Sequence, residues 1–279
     1  MWFSEKVLVF VDTRSAALAV YKETFSGPRL VRFAFEHFGS KAREGGLFAD
    51  VLSDSREAIG RLARDLKAPS QASLLLPIGV TYPSIVETAS LGRGKADVSQ
   101  EDLIRFRIAP LLPFPVNLAE VRSEAAASLG PGVVLAQAIL KTTIIEGERV
   151  MEAIGFRRPR VTSALSAALR GLPPQPGVID LIFGDSACAI AVRDQGGAVE
   201  AIHLRLLVEG DDRAQRSMDE AFRAAKVAKD IRVLGEDAVA LASKAGDVKV
   251  RPAFDEKALR GPSDPQAFPF LAVFHQGAR

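Results

Sequence analysis

Two stretches of the chain put an acid on a tight turn between apolar runs. Phe10-Val11-Asp12-Thr13-Arg14-Ser15-Ala16-Ala17-Leu18-Ala19-Val20 lies against Ile182-Phe183-Gly184-Asp185-Ser186-Ala187-Cys188-Ala189-Ile190-Ala191-Val192. Backbone N–H groups on such turns bind an anion only where side chains leave room, and glycine leaves most. The acid itself has two readings. Asp12 either holds a metal-bound water or caps the N–H groups of its own turn. With Arg14 beside it, the capping role is favoured. Other chemistry is sparse. His37, His203 and His275 lack metal-ligand spacing. Cys188, among Ala and Ile, reads as a small core residue rather than a nucleophile. Arg157-Arg158-Pro159-Arg160 could touch anionic lipid headgroups. The preferred reading is a solvated surface just past a helix stop, where basic residues also suit the helix C-terminus.

These residues sit in a chain of 279 residues, 48% hydrophobic and 25% charged, which is long enough to bury a core without disulfides. Its 36 basic and 34 acidic residues give a net charge of +2, which argues against nucleic acid as a partner. One cysteine fits a reducing compartment. Met1-Trp2-Phe3-Ser4-Glu5-Lys6 is no secretory signal, and the apolar runs are too short to span a bilayer. The expected location is cytoplasmic, with any membrane association made through a partner.

The elements that must position the turns follow from periodicity. Strands are expected at Lys6 to Val11, Ala16 to Tyr21 and Leu30 to Phe35, then a helix from about Arg56, capped by Ser55 and closed by Pro69, then a strand at Gln71 to Leu76. Next come a strand at Ile85 to Leu91, a helix capped by Ser99 with Asp102 and closed by Pro110 and Pro113-Phe114-Pro115, and a strand at Val121 to Ala127. Strand Val133 to Ile139 leads to a helix over Ile144 to Ile154, with Thr143 and Glu146 as its capping box and Gly155 as its stop. Arg160 to Thr162 is extended, and Ser163 to Leu169 is a short helix. Gly171-Leu172-Pro173-Pro174-Gln175-Pro176-Gly177 is the linker. Three strands follow at Val178 to Phe183, Ala187 to Arg193 and Ala198 to Leu204. A long helix is expected over Asp212 to Asp230, then a strand at Ile231 to Leu234, a helix at Asp237 to Ala245, a strand at Val248 to Arg251 and an apolar end. The repeated strand-turn-strand units, one on each side of the linker, suggest duplication.

The whole chain resembles PilM and its relatives, the actin-like proteins of type IV pilus and type II secretion assembly. The family's opening Asp-Ile-Gly-Thr-Ser-Ser turn corresponds to Asp12-Thr13-Arg14-Ser15-Ala16-Ala17. Its second turn corresponds to Asp180-Leu181-Ile182 or, by the internal repeat, to Gly184-Asp185-Ser186. Its late Gly-Gly turn corresponds to Leu234-Gly235-Glu236-Asp237. Ser99 to Pro115 resembles its helix and Pro-Phe turn, Gly147 to Ser163 its helix, Gly turn and short strand, and Ala272 to Arg279 its closing helix. The resemblance implies an α/β, duplicated actin-like (ribonuclease H-like) fold. The first half would span 1–176, with a subdomain inserted at about 78–132. A reduced second half would span 177–279, its last segment able to pack back on the first.

The turns depart from the family where phosphate binding needs them most. Arg14 stands at a glycine position, Ala19 where the family often has a basic residue, and Ile182 at another glycine position in one alignment. Glu236 replaces the neighbour of Gly235. Asp12, Thr13, Arg14, Ser15, Asp180, Asp185 and Gly235 are therefore a degenerate nucleotide set. Between Leu204 and Ile231 there is room for one long helix, too little for the subdomain that walls the cleft in actin-like ATPases. No cofactor is expected, with ATP and Mg²⁺ as the alternative, and no ATPase activity. The resemblance implies a scaffold under the inner membrane that holds the N-terminal tail of a bitopic partner of the PilN type. Leu76, Pro77, Leu112, Phe114 and Val116, apolar and near the expected subdomain junction, are candidate groove residues; ordinary core is the equal alternative. The competing readings are an actin-like ATPase and a GspL-type secretion component.

Overall fold

The computed structural model describes residues 5–13, 15–22, 24, 29–38, 47–88, 99–124, 129, 132–184, 187–207, 219, 230–234, 241–242 and 248–253. In chain order the first elements are β1 (Glu5–Val11), β2 (Ser15–Lys22), β3 (Arg29–His37), α1 (Phe48–Asp65) and β4 (Ala72–Leu76). They are followed by β5 (Tyr82–Glu87), α2 (Gln100–Ile108), β6 (Ala119–Glu124) and β7 (Val133–Leu140). Then come α3 (Lys141–Ile154), β8 (Arg160–Ser163) and α4 (Ala164–Gly171). Past the linker lie β9 (Val178–Phe183), β10 (Ala187–Arg193), β11 (Val199–Leu206), β12 (Asp230–Leu234) and β13 (Lys249–Pro252).

The strands form two five-stranded sheets, ordered β3-β2-β1-β4-β8 and β11-β10-β9-β12-β13, and a three-stranded sheet ordered β5-β7-β6. In each large sheet an antiparallel meander is extended by two parallel strands. The fold is therefore duplicated, with residues 7–36 and 178–207 in equivalent places. The small sheet is the insertion, and its central strand β7 lies beyond residue 132.

Burial on both faces explains the inner strands β1, β2, β9 and β10, because a strand covered on both faces is apolar over most of its length. Val7, Val9 and Val11 of β1 enter one core with Leu52 and Ile59 of α1 and Val150 and Met151 of α3. Leu8 and Phe10 enter the opposite core with Ala164 and Ala167 of α4. In the second half Cys188 and Ile190 face one core and Ala187, Ala189 and Ala191 face another.

Several element boundaries differ from the expected ones. Helix α1 begins at Phe48, well before Arg56, because Val51 and Leu52 extend its buried face. Ser55 lies inside the helix, where its hydroxyl donates to Leu52 O at 2.8 Å instead of capping. Likewise α3 begins at Lys141, so Thr143 is a buried helical residue and no side chain caps the start. Ser99 does cap α2, accepting from Asp102 N at 3.1 Å. Gly155 closes α3 at φ 109, a left-handed geometry that suits glycine. The small sheet's strands begin earlier than expected, at Tyr82 and Ala119. The expected Asp212 to Asp230 and Asp237 to Ala245 helices and the chain end fall almost wholly outside the described residues.

Candidate functional site at the paired turns and the subdomain junction

The two equivalent turns are built alike. Asp12 N donates to Ser15 O and Gly184 N donates to Ala187 O, both at 2.8 Å. Asp12 therefore corresponds to Gly184, the register of the internal repeat, and Asp180 belongs to neither turn. Asp12 is 1% exposed, and its Oδ1 accepts from Thr13 N at 2.8 Å, so the acid does cap its own turn. Its Oδ2 would lie only 3.8 Å from a Cβ on Gly184. A methyl group would therefore fit at Gly184 without a clash against Asp12. Ser15 is also buried. Arg14, Asp185 and Gly235 lie outside the described residues.

Asp180 sits inside β9, 1% exposed. Its carboxylate accepts from Arg193 Nε at 2.7 Å, Arg232 Nε at 2.6 Å and Arg232 Nη2 at 3.0 Å. The two guanidinium groups also donate to Gly197 O and Pro173 O, both at 2.9 Å. This network ties the linker to the start of the second sheet. Sequence reasoning missed both arginines, because the partners meet only through strand pairing. Cys188 is buried. Among the described residues no cluster of three His, Cys, Asp or Glu side chains could hold a metal, and no helix is long and apolar enough to cross a membrane.

The candidate groove residues separate into two groups. Leu76 is fully buried in the core under α1 and α3, and Pro77 is buried as well. Leu112, Phe114 and Val116 are half-buried on a different core, that of the small sheet and α2. Phe114 meets Tyr82 edge-on at 5.1 Å between ring centroids. The apolar surface left for a ligand is therefore that of Leu112, Phe114 and Val116. Nearby, β6 and β8 are the outer strands of their sheets. Arg122 of β6 reaches across to donate to Val161 O of β8 at 2.5 Å, and Arg170 of α4 lies 3.8 Å from Glu124 of β6. Two strand edges thus border one junction.

No protein-family model and no curated protein sequence matches the chain. Solved structures do. A structure described as a PilM-PilN type IV pilus biogenesis complex is similar over 98% of both chains, with TM-score 0.67 at 15% identity. A protein from Bacteroides thetaiotaomicron with an actin-like ATPase fold and unknown function is similar over 88% of both chains, with TM-score 0.58 at 8% identity. The cytoplasmic domain of EpsL, an inner-membrane component of the type II secretion system of Vibrio cholerae, is similar over 83% of this chain and 82% of its own, with TM-score 0.53 at 11% identity. At these identities the likeness establishes the fold alone, which is actin-like and agrees with the duplicated strand order.

Proposed function

We propose that this chain is a non-catalytic scaffold of a type IV pilus-like assembly complex, located at the cytoplasmic face of the inner membrane. It binds the N-terminal tail of a bitopic partner of the PilN type. The observation that carries the reading is the apolar surface of Leu112, Phe114 and Val116 beside the outer strand of the small sheet. The junction of β6 and β8 offers strand edges that pair with no further strand among the described residues, beside half-buried apolar side chains, the combination that extended peptides use. Likeness to a PilM-PilN complex and to the EpsL cytoplasmic domain supports an assembly role.

The test is a fluorescence-anisotropy titration with the tail of a co-encoded bitopic protein, with and without Mg-ATP. Binding is expected without nucleotide. Phe114→Asp is expected to weaken it at least tenfold, as loss of a buried anchor does. Leu112→Ser should weaken it too, and covers the case in which losing the Tyr82 contact unsettles Phe114→Asp. Phe106→Ser, at a residue 77% exposed on α2, is the control and should bind normally. A tail that fails to bind under both conditions removes the scaffold reading. Binding only with Mg-ATP favours the second reading, an actin-like ATP-binding protein that retains the acid of the first turn.

A further inference from the structure

A cleft of about 1080 Å³ opens at the starts of β1, β4 and β8, away from both turns. Its lining carries five basic side chains, Lys6, Arg157, Arg158, Arg160 and Arg170, against one carboxylate, Glu5. The whole chain carries a net charge of only +2, so positive charge is concentrated here. Glu5 is already bonded to Arg32 at 2.6 Å. Among the described residues no carboxylate pairs with Arg157, Arg158 or Arg160. Elsewhere on the surface Arg61, Arg105 and Arg149 have acidic partners, while Arg56 and Arg64 of α1 have none among the described residues.

The backbone holds this cluster in place. Arg157 N donates to Ser70 O at 2.7 Å, and Arg160 is fixed in β8. Arg158 between them has φ 49, a left-handed conformation that costs a non-glycine residue free energy and is disfavoured before proline. Three like charges are thus presented together on a constrained segment, paired with no carboxylate among the described residues.

The cleft floor tells against an extended peptide. There β1 is paired with β2 and β4, and β4 with β1 and β8, so main-chain groups are largely used. The ligand must be held by side-chain charge, and guanidinium forks match phosphate oxygens two by two. The cluster is exposed and the cleft wide, which suits a phosphate presented on a surface better than an enclosed small molecule. We propose that this cleft, through Arg157, Arg158 and Arg160, binds the phosphate of anionic phospholipid headgroups. It is a membrane contact that borders the β6–β8 junction at β8 and Arg170, and it does not depend on the scaffold reading.

The test is co-sedimentation of the full chain with vesicles of phosphatidylcholine alone and with vesicles containing phosphatidylglycerol. Binding is expected only to the anionic vesicles, and should fall as salt rises. Each basic residue near an anionic surface is worth roughly a factor of five, so Arg157→Gln/Arg158→Gln/Arg160→Gln should bind about a hundredfold more weakly. Arg56→Gln/Arg64→Gln, on the exposed face of α1, should bind normally. Arg158→Gly removes one charge and suits the left-handed backbone. It should lose about fivefold in binding with no fall in melting temperature, which separates the role in binding from damage to the fold. Equal binding to both vesicle types overturns the proposal, as does a triple variant that binds like the parent. So does binding of soluble pyrophosphate or an acidic peptide through these arginines when anionic vesicles do not bind.

Discussion

The carboxylate of Asp180 is enclosed between Arg193 and Arg232, each no more than 3% exposed. A buried acid flanked by two bases holds them only while its carboxylate is present, because two unpaired guanidinium groups in the interior are costly. Asp180→Asn should therefore lower stability by about 3–5 kcal/mol in urea unfolding. A loss below about 1 kcal/mol, the range of exposed ion pairs, would mean that water reaches the site. None of this was legible in the sequence. Asp180 matched a degenerate turn motif only because Leu181 and Ile182 follow it. Its partners stand 13 and 52 positions away and meet it only once β9, β10 and β12 pair. The two turns were legible, because the internal repeat set Asp12 against Gly184, and pairing keeps that register.

At the scale of elements, unbroken apolar runs made most strands readable, since β1, β2, β9 and β10 are buried on both faces over most of their length. Helix starts were less readable. Ser55 and Thr143 have the chemistry of caps but lie inside helices, and only the depth of Val51 and Leu52 in the core shows that α1 began earlier. Turn glycines allow a sharper comparison. Gly155 has φ 109 and open space around a notional Cβ, so Gly155→Ala should cost about 1 kcal/mol from backbone geometry alone. Gly197 has φ 87, and a Cβ there would lie 2.9 Å from Gln175 N of the linker. Gly197→Ala adds a clash with main chain, and should cost about 1–3 kcal/mol more. Thermal unfolding of the pair isolates the steric part. Equal losses would show that the linker yields freely at residues 174–175.

Across the whole molecule the repeat predicts two halves, and the strand order bears that out, but sequence gave no sign that the halves share a core. Leu165, Ala168 and Leu169 of α4, with Ile78 and Leu135 from the insertion and its approach, pack in one buried cluster with Ile182, Ala187, Ala189 and Ala191 of the second sheet. Such contacts join residues on both sides of the linker, so opening one half exposes apolar surface of the other. Unfolding should then be a single transition, and damage on one side should be felt on both. Leu165→Ala removes a fully buried side chain from this cluster and should cost about 2–5 kcal/mol. Native-state hydrogen exchange can tell where that loss falls. If the halves open together, amides of β4 in the first sheet and of β9 and β10 in the second lose protection by the same amount. Loss confined to β4 and its neighbours would mean that the second sheet holds its structure alone. The shared cluster would then be a contact between two independent units rather than one core.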